Sequence, residues 1–455
     1  MCGIVGYVGN KNATDFLIEG LSKLEYRGYD SAGIAVINNG EVEIVKHKGR
    51  LANLSRELEN NPAEGTIGIG HTRWATHGEP SDINSHPHQA SKGDITVVHN
   101  GIIENYAELT KFLKDKGYEF KSATDTEVIP NLIHYYYNGD LFEAVAKTIE
   151  RLEGSYALGV ICGNEPDKIV AVRKDSPLIV GLGDNEKFIA SDIPAVLNYT
   201  RDIYLLEDKE IVVITKNSAE VFNLNGEKIS KEIYKVTWNE DAAEKGGYDS
   251  FMLKEIHEQP KAIRDTMTGR VLLNDKVKFE DFNLTLEELN EIDRIYIIAC
   301  GTAYNAGLMG KVAIEKLAKI PVEVEIASEF RYREPLVTNK TLIITLSQSG
   351  ETADTLAVLR DAKKVGAKTL AVTNVVGSSI SREADNVIYT MAGPEIAVAS
   401  TKAYTTQVVV MNLLGMYFAD LKGILDKDVE KELKESLLSL PEKIEAVLEM
   451  KSQVA

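Results

Sequence analysis

The chain has 455 residues, a formal net charge of -18 and an apolar fraction of 44%. This length predicts about two or three domains, and the composition is that of a soluble globular protein. The acidic balance argues against a nucleic-acid-binding surface. Apolar runs of about 18 or more residues, which a membrane-spanning helix requires, do not occur in the sequence.

Cysteine and histidine usage gives no sign of a metal site. The three cysteines, Cys2, Cys162 and Cys300, form neither a disulfide framework nor a metal-ligand pattern. The histidines between residues 71 and 99 fit no zinc spacing. We therefore expect a reducing, cytoplasmic compartment, no metal and no cofactor, and we interpret Cys300 as a buried structural thiol.

Cys2 directly follows the initiator methionine. Methionine is normally removed before so small a residue, which would leave Cys2 with a free α-amine. That amine has a reference pKa of about 7.7–8.0 and the thiol one of about 8.5, so the amine could act as base for its own thiol. The apolar run at 4–8 predicts a buried strand that fixes this end. The alternative is a chance cysteine on an ordinary first strand.

The first half alternates short strands with one block of helices, which predicts stacked sheets flanked by helices. Helices are predicted at 12–24, 104–117, 125–137 and 141–153. Strands are predicted at 32–37, 41–47, 66–71, 95–99, 155–162, 168–174, 178–183, 186–191, 203–206, 210–215 and 219–224.

Polar residues cluster in two predicted loops that follow strands. In the loop at 71–78, Arg73 could bind a substrate carboxylate bidentately, which a lysine would do less well. The alternative is a surface arginine beside a core tryptophan, Trp74. After the strand ending at residue 98, the amide of Asn100 and the backbone N–H of Gly101 could form an oxyanion hole. The alternative there is a plain Asn-Gly turn.

A third polar stretch, 124–127, precedes a predicted helix. Asp125 could pair with a substrate ammonium group. The alternative is helix capping, since Thr124 and Asp125 are both good N-cap residues.

Five stretches in chain order together resemble a class II glutamine amidotransferase domain: 2–6, 25–33, 71–79, 99–105 and 124–127. That resemblance implies an N-terminal nucleophile hydrolase fold over residues 1–240, an αββα sandwich. It makes Cys2 the nucleophile with its own α-amine as base, and Asn100 and Gly101 the oxyanion hole. The glutamine-binding residues that it implies, with Trp74 also gating an ammonia route, are Arg73, Trp74, Thr76, His77 and Asp125.

The second half changes to alternating strands and helices, which predicts a parallel sheet with crossovers. A linker at 241–287 is predicted to contain a helix at 249–268 interrupted by Pro260. Strands are predicted at 295–300, 322–326, 341–346, 368–373 and 386–390. Helices are predicted near 303–318, 351–365 and 400–420.

A serine-rich loop at 347–352 joins a strand to a helix in this half. Ligands of open parallel sheets bind at the carboxyl ends of strands, and a helix N-terminus favours anions. The loop has no lysine, so its neutral donors suit a sugar phosphate rather than a Walker-type nucleotide site. The alternative is a capped helix without a ligand. The four side-chain donors are Ser347, Gln348, Ser349 and Thr352.

This half resembles a sugar isomerase (SIS) domain, which we place at residues 288–430. The resemblance implies that the four loop donors hold the phosphate, and that Thr302, Val398 and Ser400 frame the sugar. Ala303 departs from the family pattern, because a serine that touches the sugar is expected there. The family also implies a homodimer formed through SIS domains.

Together the two resemblances, which cover residues 1 to about 430, imply glutamine hydrolysis by Cys2 and transfer of the ammonia to fructose 6-phosphate. The products would be glucosamine 6-phosphate and glutamate. Such proteins continue with a second SIS domain and a C-terminal tail that carry the isomerisation groups. We therefore interpret 431–455 as the start of a truncated region, and expect the chain to release ammonia without making the amino sugar.

Two competing interpretations stay open. One is a regulatory module that binds a sugar phosphate and carries an inactive amidotransferase-like domain. The other is an amidotransferase with a phosphoribosyl or aspartyl acceptor, against which the SIS-like half argues.

Overall fold

The structure is a computed structural model that describes residues 2–25, 28–74, 77–236, 246–280 and 282–450. The chain folds into two compact units, Met1–Glu240 and Asp241–Ala455. Among the described residues, no helix is both long and apolar enough to cross a membrane.

The first unit contains two antiparallel sheets and two groups of helices. Its helices are α1 Ala13–Leu24, α2 Leu51–Asn60, α3 Tyr106–Asp115, α4 Val128–Tyr136 and α5 Leu141–Ile149, with a 3-10 turn at Ile193–Ala195. Its strands are β1 Gly3–Val8, β2 Ser31–Asn38, β3 Glu41–Lys48, β4 Ile67–Arg73, β5 His88–Gln89, β6 Ile95–Ile103, β7 Gly154–Cys162, β8 Lys168–Lys174, β9 Ile179–Leu182, β10 Lys187–Ala190, β11 Asp202–Leu205, β12 Ile211–Thr215, β13 Ala219–Phe222, β14 Lys228–Ile229 and β15 Tyr234–Lys235.

The two sheets stack face to face and each carries helices on its outer side. The first has the order β15-β11-β9-β10-β1-β4-β2-β3, and the second β14-β13-β12-β8-β7-β6-β5. Strand β1 is apolar on both faces because Ile4 packs between the sheets while Val5 packs toward α1. Helices α3, α4 and α5 cover the second sheet. The predicted αββα sandwich is confirmed.

Two strands end two or more residues beyond their predicted last residue. Strand β4 continues to Arg73, which pairs with Ser31, and β6 continues to Ile103. Asn100 and Gly101 therefore lie on a strand, and both their loop assignment and the Asn-Gly turn are wrong. Gly101 has φ +131°, and a Cβ there would lie 2.1 Å from the carbonyl oxygen of Ser155, so glycine is required. Helix α2 was not predicted.

The second unit is built on a parallel sheet, as predicted, and its strands have the order β17-β16-β18-β19-β20. Its strands are β16 Arg294–Ala299, β17 Val322–Ile326, β18 Thr341–Ser347, β19 Lys368–Thr373 and β20 Asn386–Tyr389. Its helices are α6 Phe251–Met267, α7 Leu286–Glu291, α8 Thr302–Ala318, α9 Ala327–Tyr332, α10 Ala353–Lys364, α11 Ser379–Glu383, α12 Lys402–Leu421, α13 Lys427–Leu438 and α14 Leu440–Glu449.

Helix α6 passes through Pro260 without a break, so the predicted interruption is wrong. Proline has no N–H to give to the carbonyl four residues earlier, which belongs to Ile256. The side-chain amide of Gln259 donates to that carbonyl instead, at 3.0 Å. The helix thus keeps this acceptor satisfied.

The core of the second unit reaches beyond the sheet and its crossover helices. Helices α8 and α12 pack against each other, and apolar side chains from the predicted linker, including Phe279, Phe282 and Leu284, join their core. The boundaries proposed from sequence within 241–455 stay a prediction.

Candidate functional site

Cys2 lies directly before β1, opposite the end of β4, because Gly3 pairs with Thr72. Its Sγ accepts a hydrogen bond from the backbone N–H of Trp74 at 3.1 Å. Burial raises the pKa of the Cys2 thiol, although the Trp74 N–H favours the thiolate. The resting group is therefore a thiol that needs a base before it can attack.

Asn100 joins this cysteine from the second sheet. Its Nδ2 donates to the carbonyl oxygen of Cys2 at 2.9 Å. Gly101 follows on the same strand. The structure thus brings together the predicted nucleophile and the predicted amide donor, at a point where the two sheets face each other.

Arg73, at the end of β4, is buried and only partly satisfied. Its Nη2 donates to the carbonyl oxygens of His77 and, at 3.3 Å, of Gly78. Its Nη1 is buried, and among the described residues it meets no hydrogen-bond acceptor. Burial lowers the pKa of Arg73, while the Cys2 and Asp125 charges act the other way. A buried guanidinium nitrogen without a partner suits a ligand carboxylate.

Asp125 is buried beside the end of β6 and accepts the N–H of Ile103 at 2.8 Å. It does not cap a helix: α4 begins at Val128, and its N-cap, Glu127, forms no side-chain capping bond. The capping alternative is therefore wrong for Asp125. The carboxylate points to the same strand that carries Asn100.

Aromatic rings border this region. Trp74 is 39% exposed and meets the Tyr29 ring edge-on at 5.3 Å. The His77 ring lies edge-on to Tyr106 at 5.9 Å. Thr76, predicted to bind glutamine, lies outside the described residues.

His71 is a further residue of this site and is not among the predicted ones. Its Nε2 lies 3.0 Å from Oδ1 of Asn100. Strand alternation could have indicated it, because residues 71 and 73 project from the same face of β4. Within the described ranges, no group of three or more His, Cys, Asp or Glu is arranged to hold a metal ion.

The serine-rich loop of the second unit is ordered by its own hydroxyls. Oγ of Ser347 accepts the N–H of Gly350 at 3.0 Å and lies 2.9 Å from Oγ1 of Thr352. Ser349 accepts the N–H of Glu351 at 3.2 Å, and the backbone carbonyl of Gln348 accepts that of Asn374 at 3.1 Å. Thr352 is the N-cap of α10 but forms no side-chain capping bond, so simple capping does not explain the loop.

Thr302 opens α8 directly after β16, the strand that pairs with β18. The loop that leads into Thr302 and the serine-rich loop therefore start from neighbouring strands at the carboxyl edge of the sheet. Cys300, which precedes Thr302 by two residues, is half-buried, so its assignment as a buried thiol is wrong. Ala303 is buried in the first turn of α8.

Val398 and Ser400 lie on the segment that enters α12. Val398 is 70% exposed. Oγ of Ser400 donates to Glu395 at 2.8 Å, and the same carboxylate accepts the N–H of Thr401 at 2.9 Å. Sequence reasoning missed Glu395, since nothing local marks its role in shaping this segment.

Comparison with known proteins supports the family resemblance of each half of the chain. Residues 71–198 match the glutamine amidotransferase domain family, and residues 288–417 match the SIS domain family. The chain is 66% identical over 448 residues to glutamine--fructose-6-phosphate aminotransferase [isomerizing] of Clostridium perfringens, covering 98% of this chain and 73% of that protein. The same-named protein of Thermus thermophilus is 48% identical over 455 residues, covering 100% and 75%.

A solved C-terminal domain of glucosamine-fructose-6-phosphate aminotransferase from Francisella tularensis is 40% identical, covering 46% of this chain and 59% of that one, with a TM-score of 0.44. The two aminotransferases of Clostridium perfringens and Thermus thermophilus decide the assignment, because each is far above 30% identity and is covered over more than two thirds of its length. The chain belongs to the glutamine–fructose-6-phosphate aminotransferase (isomerizing) family.

Proposed function

We propose that this chain hydrolyses glutamine at Cys2 and supplies the ammonia that aminates fructose 6-phosphate, giving glucosamine 6-phosphate and glutamate. The observation that carries the proposal is the pair of contacts at Cys2. The backbone N–H of Trp74 donates to its sulfur at 3.1 Å, and the side-chain amide of Asn100 donates to its carbonyl oxygen at 2.9 Å. Family membership supports the same reaction.

The first step is attack of sulfur on the side-chain amide carbon of glutamine. Because burial raises the pKa of the Cys2 thiol, a base must take its proton. The α-amine of Cys2 serves once Met1 is removed, since its pKa of about 7.7–8.0 leaves a useful fraction unprotonated near neutrality. The proton then passes to the leaving nitrogen.

The tetrahedral intermediate carries a negative oxygen. Asn100 donates to it through Nδ2 and Gly101 through its backbone N–H. In comparable sites each such donor lowers the activation free energy by about 3 kcal/mol. Collapse of the intermediate breaks the C–N bond, releases ammonia and leaves a thioester on Cys2. Attack by water on the thioester carbonyl then releases glutamate and restores the thiol.

Glutamine is recognised at its α-amino-acid end. The α-carboxylate pairs with the Nη1 nitrogen of Arg73, and the ammonium group pairs with Asp125. The family resemblance adds Trp74, Thr76 and His77 as further glutamine-binding residues. The buried guanidinium and carboxylate support this assignment, because each charge gains a partner when glutamine binds.

Fructose 6-phosphate is held in the second unit. Hydroxyls of Ser347, Ser349 and Thr352 and the amide of Gln348 donate to the phosphate at the start of α10, where the helix dipole also favours an anion. Thr302, Val398 and Ser400 frame the sugar. A homodimer through SIS domains and a cytoplasmic location remain predictions.

Glutamate release from glutamine, measured with and without fructose 6-phosphate, tests the proposal. Cys2→Ala should abolish release, whereas Cys300→Ser should retain it. Calorimetry with fructose 6-phosphate runs in parallel. A chain that binds fructose 6-phosphate but releases no ammonia, whether or not the sugar phosphate is present, would instead be the inactive regulatory module.

A further inference from the structure

The side-chain amide of Asn100 can face the site in two ways, and only one of them presents a donor. Its partner on one side is the backbone carbonyl of Cys2, at 2.9 Å, which can only accept. The end of the amide nearest Cys2 is therefore the NH₂ group. The opposite end, Oδ1, must face a donor if this orientation is to be stable.

His71 supplies that donor. Its Nε2 lies 3.0 Å from Oδ1 of Asn100 and 3.0 Å from the backbone carbonyl of His99. Both neighbours are acceptors, so Nε2 carries the proton. Nδ1 of His71 is buried and meets no partner among the described residues, which agrees with an unprotonated nitrogen there.

The His71 ring is itself held in place. It stacks on His86 with ring centroids 4.1 Å apart and an interplanar angle of 15°. Nδ1 of His86 accepts the backbone N–H of His99 at 3.3 Å, so this nitrogen carries no proton and the His86 ring is also neutral. Burial lowers the pKa of His71 to about 3, so His71 stays neutral over the working range.

We propose that His71 is a positioning residue for glutamine hydrolysis: its Nε2–H fixes the Asn100 amide with the NH₂ group toward the carbon that Cys2 attacks. This inference rests on the proposed function and deepens it. Without His71, the amide could rotate and present Oδ1, whose lone pairs repel a developing oxyanion. The loss would fall on the transition state rather than on glutamine binding.

A double-mutant cycle tests the proposal through glutaminase kinetics in the full chain. His71→Phe keeps an aromatic ring but removes the donor, and should lower kcat by about 10- to 100-fold, with KM for glutamine within about twofold. Asn100→Ala should cost more, about 100- to 1,000-fold. If His71 acts through Asn100, the double variant should be no slower than Asn100→Ala alone.

Two further variants separate positioning from packing. His71→Gln retains an N–H donor and should recover most of the kcat lost in His71→Phe. His88→Phe removes another fully buried histidine of the same cluster, whose Nε2 contacts Thr124 at 3.3 Å, and should leave kcat within about twofold of the parent. Equal losses in both Phe variants would overturn the proposal in favour of a packing role.

A measurement on the unmodified chain covers the case in which the variants fail to fold. Nitrogen-15 NMR of histidine-labelled protein should show His71 as the neutral Nε2–H tautomer between pH 5 and pH 8. An Nδ1–H tautomer would refute the positioning role of His71, and so would losses of kcat that multiply in the double-mutant cycle. Neither result would bear on the oxyanion assignment. Full kcat in Asn100→Ala would instead refute the oxyanion assignment in the proposed function.

Discussion

The Asn100 side chain on β6 donates to the backbone carbonyl of Cys2 before β1, at 2.9 Å, and so links the two sheets of the first unit at the proposed nucleophile. The two residues are 98 positions apart in the chain. The stacking of the sheets, rather than any local motif, therefore places an amide donor beside the cysteine.

Asn100→Asp tests this donor with little change in shape. The carboxylate would repel both the Cys2 carbonyl and the oxyanion, so we expect kcat for glutamine hydrolysis to fall by at least about 100-fold. Asn61→Asp, at an exposed position directly after α2, is the control and should behave as the parent. An Asn100→Asp enzyme with near-normal kcat would remove Asn100 from the oxyanion hole.

Arg73→Lys should weaken glutamine binding. Lysine keeps the charge but cannot offer the planar fork, one arm of which holds the carbonyls of residues 77 and 78 while the other is available to the ligand. We expect KM for glutamine to rise by about tenfold or more with a smaller change in kcat. Arg56→Lys, on the exposed face of α2, serves as control. An unchanged KM would place the carboxylate elsewhere.

Gly350→Ala should impair the serine-rich loop. Gly350 has φ +67°, and an added Cβ would lie 2.1 Å from Oγ of Ser378. Gly366 has a similar φ of +78°, but its Cβ would come only within 3.7 Å of Asn339. Both alanine variants should lose about 1–2 kcal/mol of unfolding free energy from backbone strain.

Calorimetry separates the two glycines. Only Gly350→Ala should also weaken fructose 6-phosphate binding, by about tenfold or more, because only there must the loop shift. Equal affinities in the two variants would mean that the loop does not hold the phosphate.

The buried histidines should make the first unit sensitive to acid. Burial lowers the pKa of His71 to about 3, lowers those of His86 and His88 well below the usual value, and lowers that of His99. Below pH about 6.5 the unfolded chain takes up protons that the folded chain excludes, so the free energy of unfolding falls as pH falls. No loss from these groups is expected above that pH.

Denaturant unfolding between pH 7.5 and pH 5, followed by tryptophan fluorescence, measures this slope. Each histidine contributes up to about 1.4 kcal/mol per pH unit once its unfolded form is protonated. His86→Phe should therefore reduce the slope by about one proton. An identical slope in the variant would show that His86 takes up its proton in the folded state.

The sequence was enough to predict both layered architectures, because strand and helix periodicities are local. Local patterns did not show where β4 and β6 end. Gly3 and Ser31 pair with β4 up to its last residues, and Gly154 pairs with Ile103, so partners far along the chain extend both strands. Local patterns therefore predict a loop at Asn100, which in the structure lies on a strand.

The roles of individual residues could likewise be predicted only in part. Cys2, Arg73 and Asn100 could be singled out by their chemistry together with a family resemblance. The chemistry of His71 and Glu395 does not by itself indicate their roles, which arise from hydrogen bonds made in the folded chain, such as those with Asn100 and Ser400 respectively. Pro260 predicts a helix break that does not occur. The side-chain amide of the neighbouring Gln259 donates to the backbone carbonyl that Pro260 cannot serve.

Covalent trapping of the nucleophile tests the central claim most directly. The full chain is incubated with an electrophilic glutamine analogue, and the adduct is located by peptide mass spectrometry, which also reports whether Met1 has been removed. The account predicts one adduct per chain, on Cys2 of a chain that lacks Met1, with complete loss of glutaminase activity. Labelling of Cys162 or Cys300 instead, or an active chain that retains Met1, would contradict it.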